Sequence, residues 1–201
     1  MLDRIRANDD LSFPSSLHLL RNSTAIVSQM AHCQHCPARY LSAVQNMQLL
    51  IALIMTMADQ YGAILGSIDE EARRLAELGK PKLLLFTESG AMATDTELNT
   101  DAYFSLETSP SEWRALAKKA VKSEIFGRGE NSNSFAGLLD FLEERQTMWH
   151  TVGPCSNRRR ENVALQEEPL CIKLIQRAKR RSETLGFGET EETTDNPLGQ
   201  E

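Results

Sequence analysis

The least polar passage of the chain lies between Tyr40 and Leu65. From Met47 to Ala58 ten of twelve residues are apolar. Val44, Met47, Ile51, Ile54, Ala58, Tyr61 and Leu65 recur at steps of three and four, and Leu50, Leu53, Met57 and Ile64 form a second row at the same spacing. Two apolar rows with little polar face between them describe a helix that other helices surround. Gln45, Gln48, Asp59 and Gln60 close the apolar block on both sides, which leaves it short of the roughly 20 continuous apolar residues of a membrane span. The pattern predicts a central core helix.

The flanking segments supply its cover. Residues Met1 to Pro14 are polar and read as a flexible lead-in. Ser15 or Ser16 caps a helix over Leu17, Leu20, Thr24, Val27 and Met30, which stops near Cys33 because Pro37 disfavours helical geometry at Cys36. That makes an αα-hairpin with the central helix as its second arm. Gly62 and Gly66 loosen the far end of the central helix. Ile68 to Leu78 then continues it or forms a separate short helix, stopping at Gly79-Lys80-Pro81. Leu83 to Phe86 reads as one strand or extended segment, and a lone strand builds no sheet. Glu88 to Pro110, rich in Thr, Ser, Asn, Asp and Glu, reads as a long surface loop.

Ser109-Pro110-Ser111-Glu112 opens the next helix, with Trp113, Leu116, Ala120, Val121 and Ile125 on one face. Phe135, Leu138, Leu139, Leu142 and Met148 mark another, ending near His150. The last helix runs from Pro169 to Leu185, with Leu170, Leu174, Ile175 and Ala178 inward. The fold class is all-α: an irregular helical bundle around a central apolar helix, with one long loop and a disordered acidic tail. Residues 15–186 form the helical domain and 187–201 the tail, whose composition buries too little to order itself.

Composition changes this picture only at the edges. With 41% hydrophobic and 6% aromatic residues in 201, the chain has material for one ordinary core. The start, Met-Leu-Asp-Arg-Ile-Arg, lacks the apolar stretch of a secretory signal. Four cysteines without such a signal imply reduced thiols in a cytosolic or nuclear compartment. The net charge of −6 belongs to the six acidic residues beyond Ser182, so the body is neutral. It lacks the broad positive field that non-specific nucleic-acid binding needs.

Candidate chemistry centres on Ala31 to Pro37, where His32, Cys33, His35 and Cys36 offer four ligand types within five residues. A structural zinc needs about four ligands in a tetrahedron, and adjacent His-Cys side chains diverge, so this cluster does not close a metal site alone. Cys155 and Cys171 would complete it only if the fold delivered them. Read as a Cys-x-His-Cys thiol-redox motif, it lacks the preceding strand and the sheet expected around it. The plainer reading is packing at a tight interhelical corner, with no metal and no cofactor. Arg158-Arg159-Arg160 and Lys179-Arg180-Arg181 read as solvated loop or helix-end charges. His18 and His150 are isolated and read as packing residues. No Gly-rich phosphate loop, Gly-x-Ser-x-Gly elbow or His-Glu-x-x-His occurs, and nothing in the pattern favours an enzyme.

At Cys33-Gln-His-Cys36-Pro37, followed by Leu49 to Met57 and Tyr61, the chain resembles the C-terminal regulatory region of aflatoxin-regulator-like fungal transcription factors. Pro169 to Ile175 is similar to the closing helix of that region. The resemblance implies a non-enzymatic, nuclear module of transcription regulation for secondary-metabolite genes. It would act through protein partners or self-association on apolar helix faces, meeting DNA only indirectly or through a missing domain, and no membrane. The family's terminal aromatic pair is reduced here to Tyr61, and four cysteines cannot form the six-cysteine zinc cluster with which the family reads DNA. The alternative is a small helical thiol-redox or metal-binding protein using Cys33 and Cys36.

Overall fold

The computed structural model describes residues 13–33, 35, 39–86, 104–127, 134–152 and 168–187. Among them are five helices and one two-stranded sheet: α1 (Ser15–Ala31), α2 (Tyr40–Glu77), β1 (Lys82–Phe86), β2 (Phe104–Thr108), α3 (Pro110–Phe126), α4 (Phe135–Thr151) and α5 (Leu170–Glu183). The helical bundle around a central apolar helix is therefore the observed fold.

Helix α2 runs unbroken for 38 residues, so Ile68 to Leu78 is its extension. Each helical glycine costs about 1 kcal/mol relative to alanine, but Tyr61, Ile64, Leu65 and Ile68 are all buried around Gly62 and Gly66 and hold the helix together. Gly62 also gives room. A Cβ there would stand 3.4 Å from Leu185 Cδ2, so Leu185, just past the end of α5, packs directly over this glycine. The helix stops as its sequence dictates. Gly79 takes φ +61°, the Gly79 amide donates to the Ala76 carbonyl and the Lys80 amide to the Leu75 carbonyl, which together satisfy the last carbonyls in a Schellman turn.

The length of α2 alters one expectation. By length and composition it suffices to cross a membrane, with an 18-residue window of mean hydropathy 1.6. Other helices cover it here, and 44% of that window is buried inside the protein. Leu50, Ile54, Met57 and Ala58 reach full burial where α1, α3 and α5 pack around it.

Helices α4 and α5 are antiparallel neighbours. Lys179 pairs with Asp140 at 2.6 Å and with Glu143, and Gln176 Nε2 donates to Glu143 Oε1 at 3.0 Å. Arg181 reaches Asp59 of α2 at 2.6 Å. The Lys179 to Arg181 triplet is thus more than a solvated helix end, since two of its three cations bridge helices. Arg158 to Arg160 lie outside the described residues. Helix α3 begins on a capping box, Ser109 with Glu112 and Pro110 in the first turn. Its Lys118, only 6% exposed, donates to Asp69 of α2 at 2.9 Å and to the Gly186 carbonyl at 3.1 Å.

Four expectations need correction. Leu83 to Phe86 is not a lone strand, because Phe104–Thr108 pairs with it antiparallel, Leu84 opposite Leu106. The polar stretch expected as loop to Pro110 therefore ends in a strand, the apolar Phe104 and Leu106 having been outvoted by their neighbours. Leu116, Met148 and Leu170 are exposed, at 53%, 60% and 70%; Ala117 and Ile172 occupy inward positions on α3 and α5. Phe13 and Phe187, expected in the lead-in and the tail, pack edge-on against Trp113 and Phe126. Residues 1–12 and 188–201 are outside the described residues.

The core predicts a contrast along α2. Ile54→Ala should lower unfolding free energy by about 2–5 kcal/mol, and Leu49→Ala, at a half-exposed position, by no more than about 0.5 kcal/mol, both measured by urea denaturation. A second prediction concerns pH. Hydrogen bonds from Arg74, opposed in part by burial and reinforced by Lys82 of β1, hold the Glu71 carboxyl at about 2 instead of 4.5. A carboxylate lowered by folding stabilises fully above its unfolded pKa and loses that contribution as pH falls through the folded one. The stability gap between wild type and Glu71→Gln should be widest at neutral pH, narrow below about pH 4.5 and close near pH 2.

Candidate functional site

The start of α2 carries apolar side chains at Tyr40, Ala43, Val44, Met47 and Ile51, a stripe at helical spacing. Over this stretch α2 is met by the last two turns of α4 and the first turn of α5. The three do not close completely. They leave a cleft of about 470 Å³, walled on the α4 side by Arg145, Gln146, Trp149 and His150, and on the α5 side by Pro169, Leu170, Cys171 and Leu174. That volume falls within the roughly 300–1,000 Å³ typical of small-molecule sites, which are mostly apolar with a few placed polar groups. Tyr40 and Leu170, both substantially exposed, stand at its edge.

Aromatic packing shapes the wall. Tyr40 stacks on Trp149, with centroids 5.9 Å apart and planes at 23°. The Trp149 ring meets His150 edge-on at 5.0 Å and 86°. Trp149 Nε1 is buried and has no acceptor among the described residues. Gln146, 6% exposed, lines the cleft beside it. A buried N–H such as that of Trp149 is costly unless water or a ligand meets it.

The chemistry sits where α4 ends and α5 begins. Cys171 is the second residue of α5, in the turn where unpaired backbone amides gather positive potential. Its Sγ lies 3.1 Å from His150 Nε2. A thiol against an imidazole at a helix start is the setting in which proton transfer from sulfur to nitrogen is favoured. His150 is thus not isolated, contrary to expectation. Twenty-one residues separate it from Cys171, and only the antiparallel return of α5 along α4 unites them, so no local spacing signals the pair. His18, by contrast, is exposed, and its side chain meets Asn22 at 3.3 Å.

The cluster singled out by sequence lies at the turn between α1 and α2. The exposed His32 stacks on Phe141, with centroids 4.0 Å apart, and its Nδ1 donates to the Ser28 carbonyl at 2.7 Å. Cys33 is half-buried and His35 exposed; Cys36 and Cys155 lie outside the described residues. Among the described residues no group of three or more His, Cys, Asp or Glu side chains could hold a metal ion, so His32, Cys33 and His35 do not converge on one. A smaller hollow of about 210 Å³ lies between α1 and α4, where Thr24, Ser28, His32 and Ser134 contribute polar walls.

Arg145 connects the two regions, lining the cleft and donating from Nη1 to the Ala31 carbonyl at the end of α1. A charged donor on a helix's terminal carbonyl combines a hydrogen bond with a favourable dipole interaction. Arg145→Met should therefore cost about 1–2 kcal/mol in a urea melt, as the end of α1 comes away from α4.

No known family model matches the chain, and no curated protein and no solved structure is similar enough to it to count as a match.

Proposed function

We propose that the chain is a non-enzymatic regulatory module of transcription that takes a small, mainly apolar effector in the cleft between α2, α4 and α5. The single observation that carries the effector site is the cleft itself, with its apolar walls of Met47, Ile51 and Leu174 and its buried amide of Gln146. The regulatory context comes from the resemblance to the C-terminal region of aflatoxin-regulator-like factors. The neutral body fits a module that meets DNA only through another part of an assembly.

The mouth of the cleft supports a role for protein partners. Leu41, Met148, Val152 and Leu170 are 60–82% exposed; Leu170 lines the cleft, and the other three are within two residues in sequence of the cleft-lining Tyr40, Trp149 and His150. Exposed apolar side chains gathered at one end of a domain favour a protein contact. An effector seated among Tyr40, Trp149 and Leu170 would change that rim directly. The partner, a second copy or another protein of the assembly, would then register whether the cleft is filled.

The test joins the chain to an unrelated DNA-binding domain in cells carrying a reporter gene. Tethering should shift reporter output several-fold. Val44→Trp and Ile51→Trp, which fill the cleft, should change that output while thermal unfolding of the purified variants stays within a few degrees of wild type. Output indifferent both to tethering and to filling of the cleft would overturn the reading.

A further inference from the structure

Cys171 and His150 bring a nucleophile and a base to the wall of a largely apolar cleft, which the largely buried Gln146 also lines. We propose that Cys171 is a covalent capture site for an apolar α,β-unsaturated carbonyl compound, which is thereby the effector class of this module. The inference rests on the reading of the cleft as an effector site and goes beyond it by naming the reactive group.

The step follows from the geometry. With the His150 proton on Nδ1, Nε2 accepts the proton of the Cys171 thiol across 3.1 Å. The sulfur electron pair forms a bond to the β-carbon of the bound compound. The carbon–carbon π pair shifts to give an enolate, whose oxygen accepts a hydrogen bond from the Gln146 amide. The proton held on His150 returns to the α-carbon. The sum is addition of S–H across one double bond, with no leaving group and no oxidant or reductant. The imidazole provides the base that turns a weakly nucleophilic thiol into a thiolate, and the first turn of α5 stabilises the negative sulfur.

The chemistry of the walls selects the reagent. Met47, Ile51 and Leu174 favour a planar, apolar conjugated ketone, which loses little on leaving water, and Arg145, the charged residue on the wall, is engaged at the Ala31 carbonyl. Cys171 is half-buried, so bulk reagents meet it less readily than a compound that first enters the cleft. Capture is stoichiometric: one adduct per chain, formed only after binding.

The experiment uses the full chain and two probes of one shape, 4-phenylbut-3-en-2-one and its saturated analogue 4-phenylbutan-2-one. With one equivalent of the enone, intact-mass spectrometry should show a single adduct, and peptide mapping should place it on Cys171 ahead of Cys33, Cys36 and Cys155. Cys171→Ser should remove that adduct, and His150→Asn should slow it about tenfold or more. Labelling of His150→Asn should also climb with pH towards the ordinary thiol pKa of about 8.5, while the wild-type rate varies less, a change that loss of packing alone would not produce. The saturated ketone should slow labelling of Cys171 by competition and raise the melting temperature. Equal labelling of all four cysteines, or an adduct that survives Cys171→Ser on the same peptide, overturns the proposal. A saturated ketone that binds in the cleft beside an enone that does not label Cys171 sinks the covalent inference and leaves the effector site standing. If neither compound binds or reacts, both fall.

Discussion

An apolar helix of 38 residues cannot stand in water uncovered, and the rest of this protein is arranged to cover it. Leu50, Ile54, Met57, Ala58 and Ile68 reach full burial only because α1, α3 and α5 approach α2 from different sides. The burial also keeps α2 unbroken through Gly62 and Gly66, where propensity alone would loosen it. The same covering requirement sets the position of α4, which lies against α1, α3 and α5 and contributes Phe135, in ring contact with Tyr61 at 5.3 Å.

Polar contacts choose among the packings that this covering would allow. Lys118 is buried, and its ammonium is met by Asp69 and the Gly186 carbonyl, so α3, α2 and the segment after α5 are fixed in one relation. Removing either partner would leave a buried charge poorly compensated, which is why such contacts specify arrangement more than they add stability. The half-buried Lys179 links α5 to Glu143 of α4, and the exposed Arg21 links α1 to Glu124 of α3. Tyr61, buried beside Thr24 and the Arg21–Glu124 pair, has its hydroxyl pKa raised mainly by desolvation and stays protonated.

The cleft is where covering stops. At its first turns α2 has α4 and α5 as neighbours, but the side chains they present, Gln146, His150 and Cys171, do not fill the space as a core would. Local rules are broken together there: a buried indole nitrogen lacks a partner among the described residues, and a thiol faces an imidazole. Departures of this sort gather at functional sites because a ligand can complete what packing has left open. The proposed effector site and its proposed covalent chemistry are two consequences of that one gap.

Periodicity by itself determined the helices, because a 3.6-residue repeat of apolar positions has one local solution. Residue types marked helix ends as well, a stop at Gly79 with its positive φ and a start at Ser109 with Glu112 three residues on. Periodicity could not give β2, whose partner strand lies 18 residues earlier and whose own composition is mixed. Nor could it say which residue of an amphipathic face turns fully inward; Ala117, not Leu116, is buried because the rotation of α3 against α2 decides it. The candidate site was the least legible part. Local density drew attention to His32, Cys33, His35 and Cys36, the described members of which do not converge, while the pair that does meet is assembled from two helices. Sequence determined which segments are helical and that each carries an apolar face, a short-range property, and only the tertiary structure decided how far each face turns inward and which distant side chains share a cavity, because that depends on how whole helices pass one another.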